Sequence, residues 1–187
     1  MTSLVIGIID HQAGNLHSVQ SALAALGYQT NMITEPKDML KIDGLVLPGV
    51  GSFGMSMRTL RNTGLDVAIT QHIRKNRPFL GICIGLHLLF DTSEESPGCR
   101  GLGIIKGSVK KLKVTQSPLP HMGWNTLNIQ QDPNHIFATI GDQDVHFVHC
   151  YHGCPDDHRV IATTTTYETP FVSAIQTGPI IATQFHL

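Results

Sequence analysis

The chain has 187 residues, 41% of them apolar and 14% charged, which is enough to bury a core without disulfides or metals and fits one domain, 1–187. A formal net charge of -1 removes any electrostatic case for nucleic acid or for an anionic membrane surface. Cys83, Cys99, Cys150 and Cys154 are too few and too irregularly spaced for a disulfide scaffold, no basic leader precedes the first apolar run, and no apolar stretch reaches bilayer length, so a cytoplasmic, reducing location is expected.

Leu4 to Ile9 is a continuous apolar run rich in β-branched residues, the pattern of a strand covered on both faces of a parallel sheet. His11 to Asn15 is a polar turn containing glycine, after which Leu16, Val19, Leu23 and Leu26 recur at helical spacing until Gly27. Tyr28 to Ile33 reads as a second strand, Pro36 opens a short helix, and Gly44 to Leu47 is a third strand. This βαβα rhythm predicts an α/β fold of three layers, a mainly parallel central sheet flanked by helices.

The stretch Pro48 to Gly54, P-G-V-G-S-F-G, lies at the carboxyl end of the third strand, the edge where open α/β sheets bind ligands. Closely approaching backbone N–H groups suit an oxyanion hole. A phosphate cradle would lack the Lys-Ser/Thr ending of a P-loop, and a plain flexible connection is the third reading. Met55 to Asn62 and Leu65 to Lys75 are helical, and Pro78 prevents continuation.

Phe79 to Ile82 then forms an apolar strand that runs into Cys83, with Gly81 and Gly85 on either side and an amphipathic helix presenting Leu86, Leu89 and Phe90. Strand, sharp turn and helix lift a nucleophile above a sheet, and the start of a helix lowers a thiol pKa. A buried thiol at an ordinary tight turn is the competing reading. His87, one turn after Cys83, is a solvated helix residue or a site residue. Ser93 to Gly101 is a polar loop.

From Gly103 the rhythm changes to strand-like runs, Gly103 to Ile105, Ser108 to Val114, Trp124 to Ile129, Val145 to Tyr151, Val160 to Tyr167, Phe171 to Gln176 and Ile180 to Phe185. These extra β-strands in the C-terminal half are expected to extend or flank the same sheet, with a short helical piece at His135 to Ile140. In a strand, His146, Val148, Cys150 and His152 face one way and Phe147, His149 and Tyr151 the other. The Cys150-x-x-x-Cys154 spacing has no matching second pair, so no metal is expected and Gly153 to Asp157 reads as a polar turn.

An elbow cysteine, a glycine-rich loop after an earlier strand, and His186 just past a late strand are the parts of a thiol acyl-transfer site. With the motifs I-I-D-H-Q-A-G-N-L-H-S-V, L-P-G-V-G-S-F-G, P-F-L-G-I-C-I-G, P-H-M-G-W-N, F-V-H-C-Y and T-Q-F-H in order along nearly the whole chain, the sequence resembles the class I glutamine amidotransferases. It looks most like their branch that serves imidazole glycerol phosphate synthesis in histidine biosynthesis. The resemblance implies glutamine as substrate, no cofactor, Cys83 as nucleophile and His186 as base. It further implies an oxyanion hole from Val50, Gly51 and Ile84, and substrate contacts from Gly49 and His87. A (β/α)8-barrel cyclase is the implied heterodimer partner, contacted by Asn15 and by Met122, Gly123, Trp124 and Asn125. Trp124 is also large enough to be a core residue. Where the family has Gln, this chain has His87. Where the family's catalytic histidine is followed by Pro and an orienting Glu, here Leu187 follows His186 and the sequence stops, so the 187 residues are expected to lack a C-terminal tail and to show reduced activity. A scaffold or regulatory subunit, and a paralogue feeding ammonia to another synthase such as a surface-sugar amidation enzyme, are the alternative roles.

Overall fold

The computed structural model describes residues 4–11, 16–129, 136–140 and 143–186. The first half alternates β1 (Val5–Ile9), α1 (Leu16–Ala25), β2 (Gln29–Ile33), a 3-10 turn at Pro36–Lys41, β3 (Gly44–Leu47), α2 (Phe53–Thr63), α3 (Leu65–Arg74) and β4 (Phe79–Ile82). Alternate strand residues serve opposite faces. Ile8, Val46 and Ile82 pack with Val19 of α1 on one side, while Ile9, Leu45, Leu47 and Phe79 join Met57, Leu60, Leu65 and Ile69 of α2 and α3 on the other. Both faces are dry, which is why these strands read as unbroken apolar runs. Burying each such side chain stabilises the fold by about 1.5–3 kcal/mol.

After β4 come α4 (Ile84–His87), β5 (Phe90–Ser93), β6 (Ile105–Lys111), β7 (His121–Thr126), β8 (Asn128–Ile129), β9 (Asp144–His149), β10 (Tyr151–Pro155), β11 (Ile161–Tyr167), β12 (Thr169–Thr177) and β13 (Ile180–Thr183). The main sheet has the order β2-β1-β3-β4-β13-β12-β11-β8. From β2 to β13 its strands are parallel; from β13 to β8 they are antiparallel. The β13–β4 pairing aligns Thr183 with Ile82, so the end of β13 arrives beside the turn that carries Cys83. This is the expected mixed, mainly parallel sheet with flanking helices.

Four local readings change. The amphipathic segment after Cys83 is a single helical turn, and Phe90 already begins β5. Only β8, β11, β12 and β13 extend the main sheet, whereas β5, β6 and β10 form one small sheet and β7 pairs with β9 in another. Alternation marks a strand without naming its partner, so sequence could not separate these sheets. Of the turn expected at Gly153 to Asp157, Gly153, Cys154 and Pro155 are instead the end of β10, paired with β6 through Cys154 and Ser108 and through Pro155 and Gly107, and only Asp156 and Asp157 lie beyond the strand. The helical piece expected at His135 to Ile140 is a 3-10 turn at Ile136–Thr139, with His135 outside the described residues. Among the described residues, no helix is long and apolar enough to cross a membrane.

Candidate active site

Cys83 sits between β4 and α4 with φ 53° and ψ -103°, a left-handed backbone that a non-glycine residue adopts only under constraint. The constraint is visible on both sides. Its N–H donates to the Thr183 carbonyl of β13 at 2.7 Å. A Cβ on Gly85 would collide with the Leu47 carbonyl of β3, so only glycine lets α4 start that close to the sheet.

The thiol is buried and lines a cavity of about 310 Å³ together with Gly51, His87, Glu95, His149 and Tyr151. Burial pushes its pKa up to about 12, against the downward pull of the Ile84 N–H and of the Gln184 amide, while the Glu95 carboxylate adds to the rise. The expected lowering by the helix start is outweighed here. A one-turn helix has little dipole, and desolvation of a thiolate is the larger effect.

Gln184, just past β13, is fully buried and spans the gap between two site residues. Its Nε2 lies 3.7 Å from Cys83 Sγ. Its Oε1 lies 2.7 Å from His87 Nε2. His87 is therefore buried beside Cys83 on the cavity wall rather than solvated, its pKa held down at about 4 by desolvation against the raising effect of the Gln184 bond.

The loop after β3 meets the cavity through Val50 and Gly51, and Gly51 has φ 104°. Behind it, His11 is buried and its Nε2 donates to the Pro48 carbonyl at 2.8 Å. The same ring occupies the space a side chain at Gly49 would need. Glu95 holds the far end of the loop, its Oε2 accepting from the Phe53 N–H at 2.7 Å at the start of α2. A carboxylate in this position also faces the cavity as a seat for a cationic group such as an α-ammonium.

His186 lies on the other side of the loop. Its N–H donates to the His146 carbonyl of β9 at 3.0 Å, and its ring lines a second cavity of about 260 Å³ that shares Val50 and Val148 with the first. Burial lowers its pKa, as does positive charge on His146, and its Nε2 has no hydrogen-bond partner among the described residues. No hydrogen bond joins it to Cys83; Cys83 Sγ contacts the Gln184 amide instead. Leu187 lies outside the described residues, as does Asn15 of the expected docking face.

On that face, Met122 and Trp124 are 66% and 73% exposed, so Trp124 is not a core residue. Asn125 leads inward through a directional chain. His149 Nδ1 donates to the Tyr151 carbonyl at 2.8 Å, so the neutral ring accepts at Nε2, which fixes His121 Nδ1 as the donor at 3.1 Å and leaves His121 Nε2 to face the Asn125 amide at 3.4 Å. Among the described residues, no three His, Cys, Asp or Glu side chains are grouped as metal ligands.

Sequence reasoning had singled out neither Gln184, Glu95 nor His11. A glutamine at the end of the apolar run I-I-A-T is a buried-polar signal that reading could have used. Glu95 and His11 lie in segments that read as ordinary polar loop and turn, with no such mark.

The profile of the glutamine amidotransferase class-I family matches residues 7–187. The imidazole glycerol phosphate synthase subunit HisH of Synechococcus sp. (strain JA-3-3Ab) is 44% identical over 189 residues, covering 100% of this chain and 87% of that protein. The chloroplastic imidazole glycerol phosphate synthase hisHF of Arabidopsis thaliana is 40% identical over 97% of this chain, which spans only 31% of that longer protein. A crystal structure of a glutamine amidotransferase superposes with a TM-score of 0.77 over 97% of this chain and 89% of that one, at 15% identity, and shares the fold.

Proposed function

The chain belongs to the class I glutamine amidotransferases, and on that premise we propose that it is the glutaminase subunit of an imidazole glycerol phosphate synthase, acting in histidine biosynthesis. The observation that carries this reading is Cys83, held at φ 53° on the wall of a cavity that also exposes Gly51 and Glu95.

In the proposed mechanism, glutamine enters with its α-ammonium toward Glu95 and its side-chain carbonyl over Cys83. His186 takes the thiol proton, and Sγ attacks the amide carbon. The Ile84 N–H and an N–H of the Val50–Gly51 stretch hold the oxyanion. The C–N bond breaks as His186 returns the proton to the leaving nitrogen, giving ammonia and a glutamyl thioester, which water then hydrolyses to glutamate. Gly49 contributes backbone to the same substrate wall. Ammonia passes to a (β/α)8-barrel cyclase, docked as a heterodimer on the face of Met122, Gly123, Trp124 and Asn125, in the cytoplasm.

The resting geometry favours activation by that docking. The thiol is pushed up to about 12, and His186 faces the neighbouring cavity, so the nucleophile and base are not yet paired. The Asn125–His121–His149 chain gives the docking face a hydrogen-bonded route to the wall of the Cys83 cavity. Glutaminase assays with and without a cognate barrel subunit test the reading. Turnover that rises with the barrel and disappears in Cys83→Ser is expected. A Cys83→Ser chain that still hydrolyses glutamine at the original rate would overturn it.

A further inference from the structure

We propose that Gln184 stabilises the Cys83 thiolate directly and that His87 is the positioning residue that aims it. A carboxamide has a donor end and an acceptor end, and only the donor end helps a thiolate. Gln184 is fully buried with that end 3.7 Å from Sγ. Reversing the amide would point an oxygen at the sulfur and oppose ionisation.

His87 decides between the two orientations. Its Nε2 lies 2.7 Å from Gln184 Oε1. A proton on that nitrogen requires Oε1 as its partner and turns the amide nitrogen toward Cys83; the opposite tautomer turns it away. No charge is needed on the ring, and its burial keeps it neutral. With Nε2 occupied by Gln184, His87 acts on the nucleophile from inside the protein, a task separate from holding the substrate. The strand pairing explains the precision: β13 and β4 are parallel neighbours with Thr183 opposite Ile82, so Gln184 and Cys83 leave adjacent strand ends together. Among the described residues, the Ile84 N–H and the Gln184 amide are what offset the desolvation of this thiol.

The inference rests on Cys83 being the nucleophile, but its test needs no turnover. The rate of Cys83 alkylation by iodoacetamide is measured on the full chain between pH 7 and 9, with Cys83→Ser subtracted for the other thiols. Gln184→Leu is expected to slow it about tenfold at each pH, the effect of one hydrogen bond to a charged group. His87→Leu is expected to do the same, the double variant to add nothing further, and His87→Gln, whose amide also donates to Oε1, to restore most of the rate. That rescue separates aiming from packing, because leucine fills an apolar gap at least as well. Should Gln184→Leu fail to fold, the near-isosteric Gln184→Glu, which swaps donor for acceptor, is expected to slow alkylation more strongly. An unchanged or faster rate in the folded Gln184 variant overturns the inference, as do fully additive effects of the two sites. Absent glutaminase activity with the Gln184 dependence intact would instead remove the functional reading alone.

Discussion

Acid is expected to unfold this protein steeply, because it buries neutral histidines. The pKa of His87 is lowered from 6.5 to about 4 and that of His149 from 6.5 to about 3, desolvation being the main cause in both. The unfolded chain therefore binds protons that the folded chain refuses. Stability is fully present above pH 6.5 and is lost as pH falls toward the folded values. Each proton is worth about 1.4 kcal/mol per pH unit, so the pair removes about 5 kcal/mol between neutral pH and pH 4.5, comparable to the whole stability of many domains. His72, His121, His152 and His186 are shifted in the same direction and steepen the loss. Urea unfolding from pH 7.5 to 4.5 measures the slope. His149→Gln keeps a donor for the Tyr151 carbonyl and an acceptor for His121, so it should lower the slope by about one proton while preserving the fold. A flat profile between pH 6.5 and 5, or a slope that His149→Gln leaves alone, would refute the reasoning.

Gly85→Ala should lower the melting temperature by several degrees, since its Cβ meets the Leu47 backbone carbonyl, which cannot rotate away; overpacking of this kind costs about 1–3 kcal/mol and calorimetry reads it directly. Trp124→Ala should weaken binding to the proposed barrel partner by tenfold or more without changing thermal stability, because the ring is 73% exposed; titration calorimetry and a melting curve separate the two effects. Glu95→Gln retains an oxygen for the Phe53 N–H but loses the charge offered to an α-ammonium. Its kcat/KM for glutamine should fall tenfold to a hundredfold, mainly through KM.

Sequence made the first half of the fold legible because parallel strands buried on both faces leave unbroken apolar runs, and Leu4 to Ile9, Gly44 to Leu47 and Phe79 to Ile82 all became strands. The cysteine elbow was legible for the related reason that Gly81 and Gly85 leave a mark where backbone must pass close to backbone. The separate pairing of β7 with β9 was not, since register over many residues of intervening chain has no local signature. The same gap hid Gln184 and His87 from one another. They lie 97 residues apart, and only the insertion of β13 beside β4 brings an amide onto the imidazole. The raised thiol pKa escaped because the sequence shows a helix start but not how much solvent the finished walls exclude.

The placement of β13 carries one more consequence, for the order in which the protein becomes functional during synthesis. The four strands of the first half can assemble early, but β4 then has an open edge where β13 belongs, and β12, β11 and β8 have no link to the rest of the main sheet until β13 arrives. β13, which follows the other strands of the main sheet in the chain, is the one that joins the two halves and delivers the acceptor for the Cys83 N–H, the Gln184 amide and His186. A nascent chain on the ribosome therefore holds its cysteine without the partners that would make it reactive, and it cannot release ammonia before the sheet is closed.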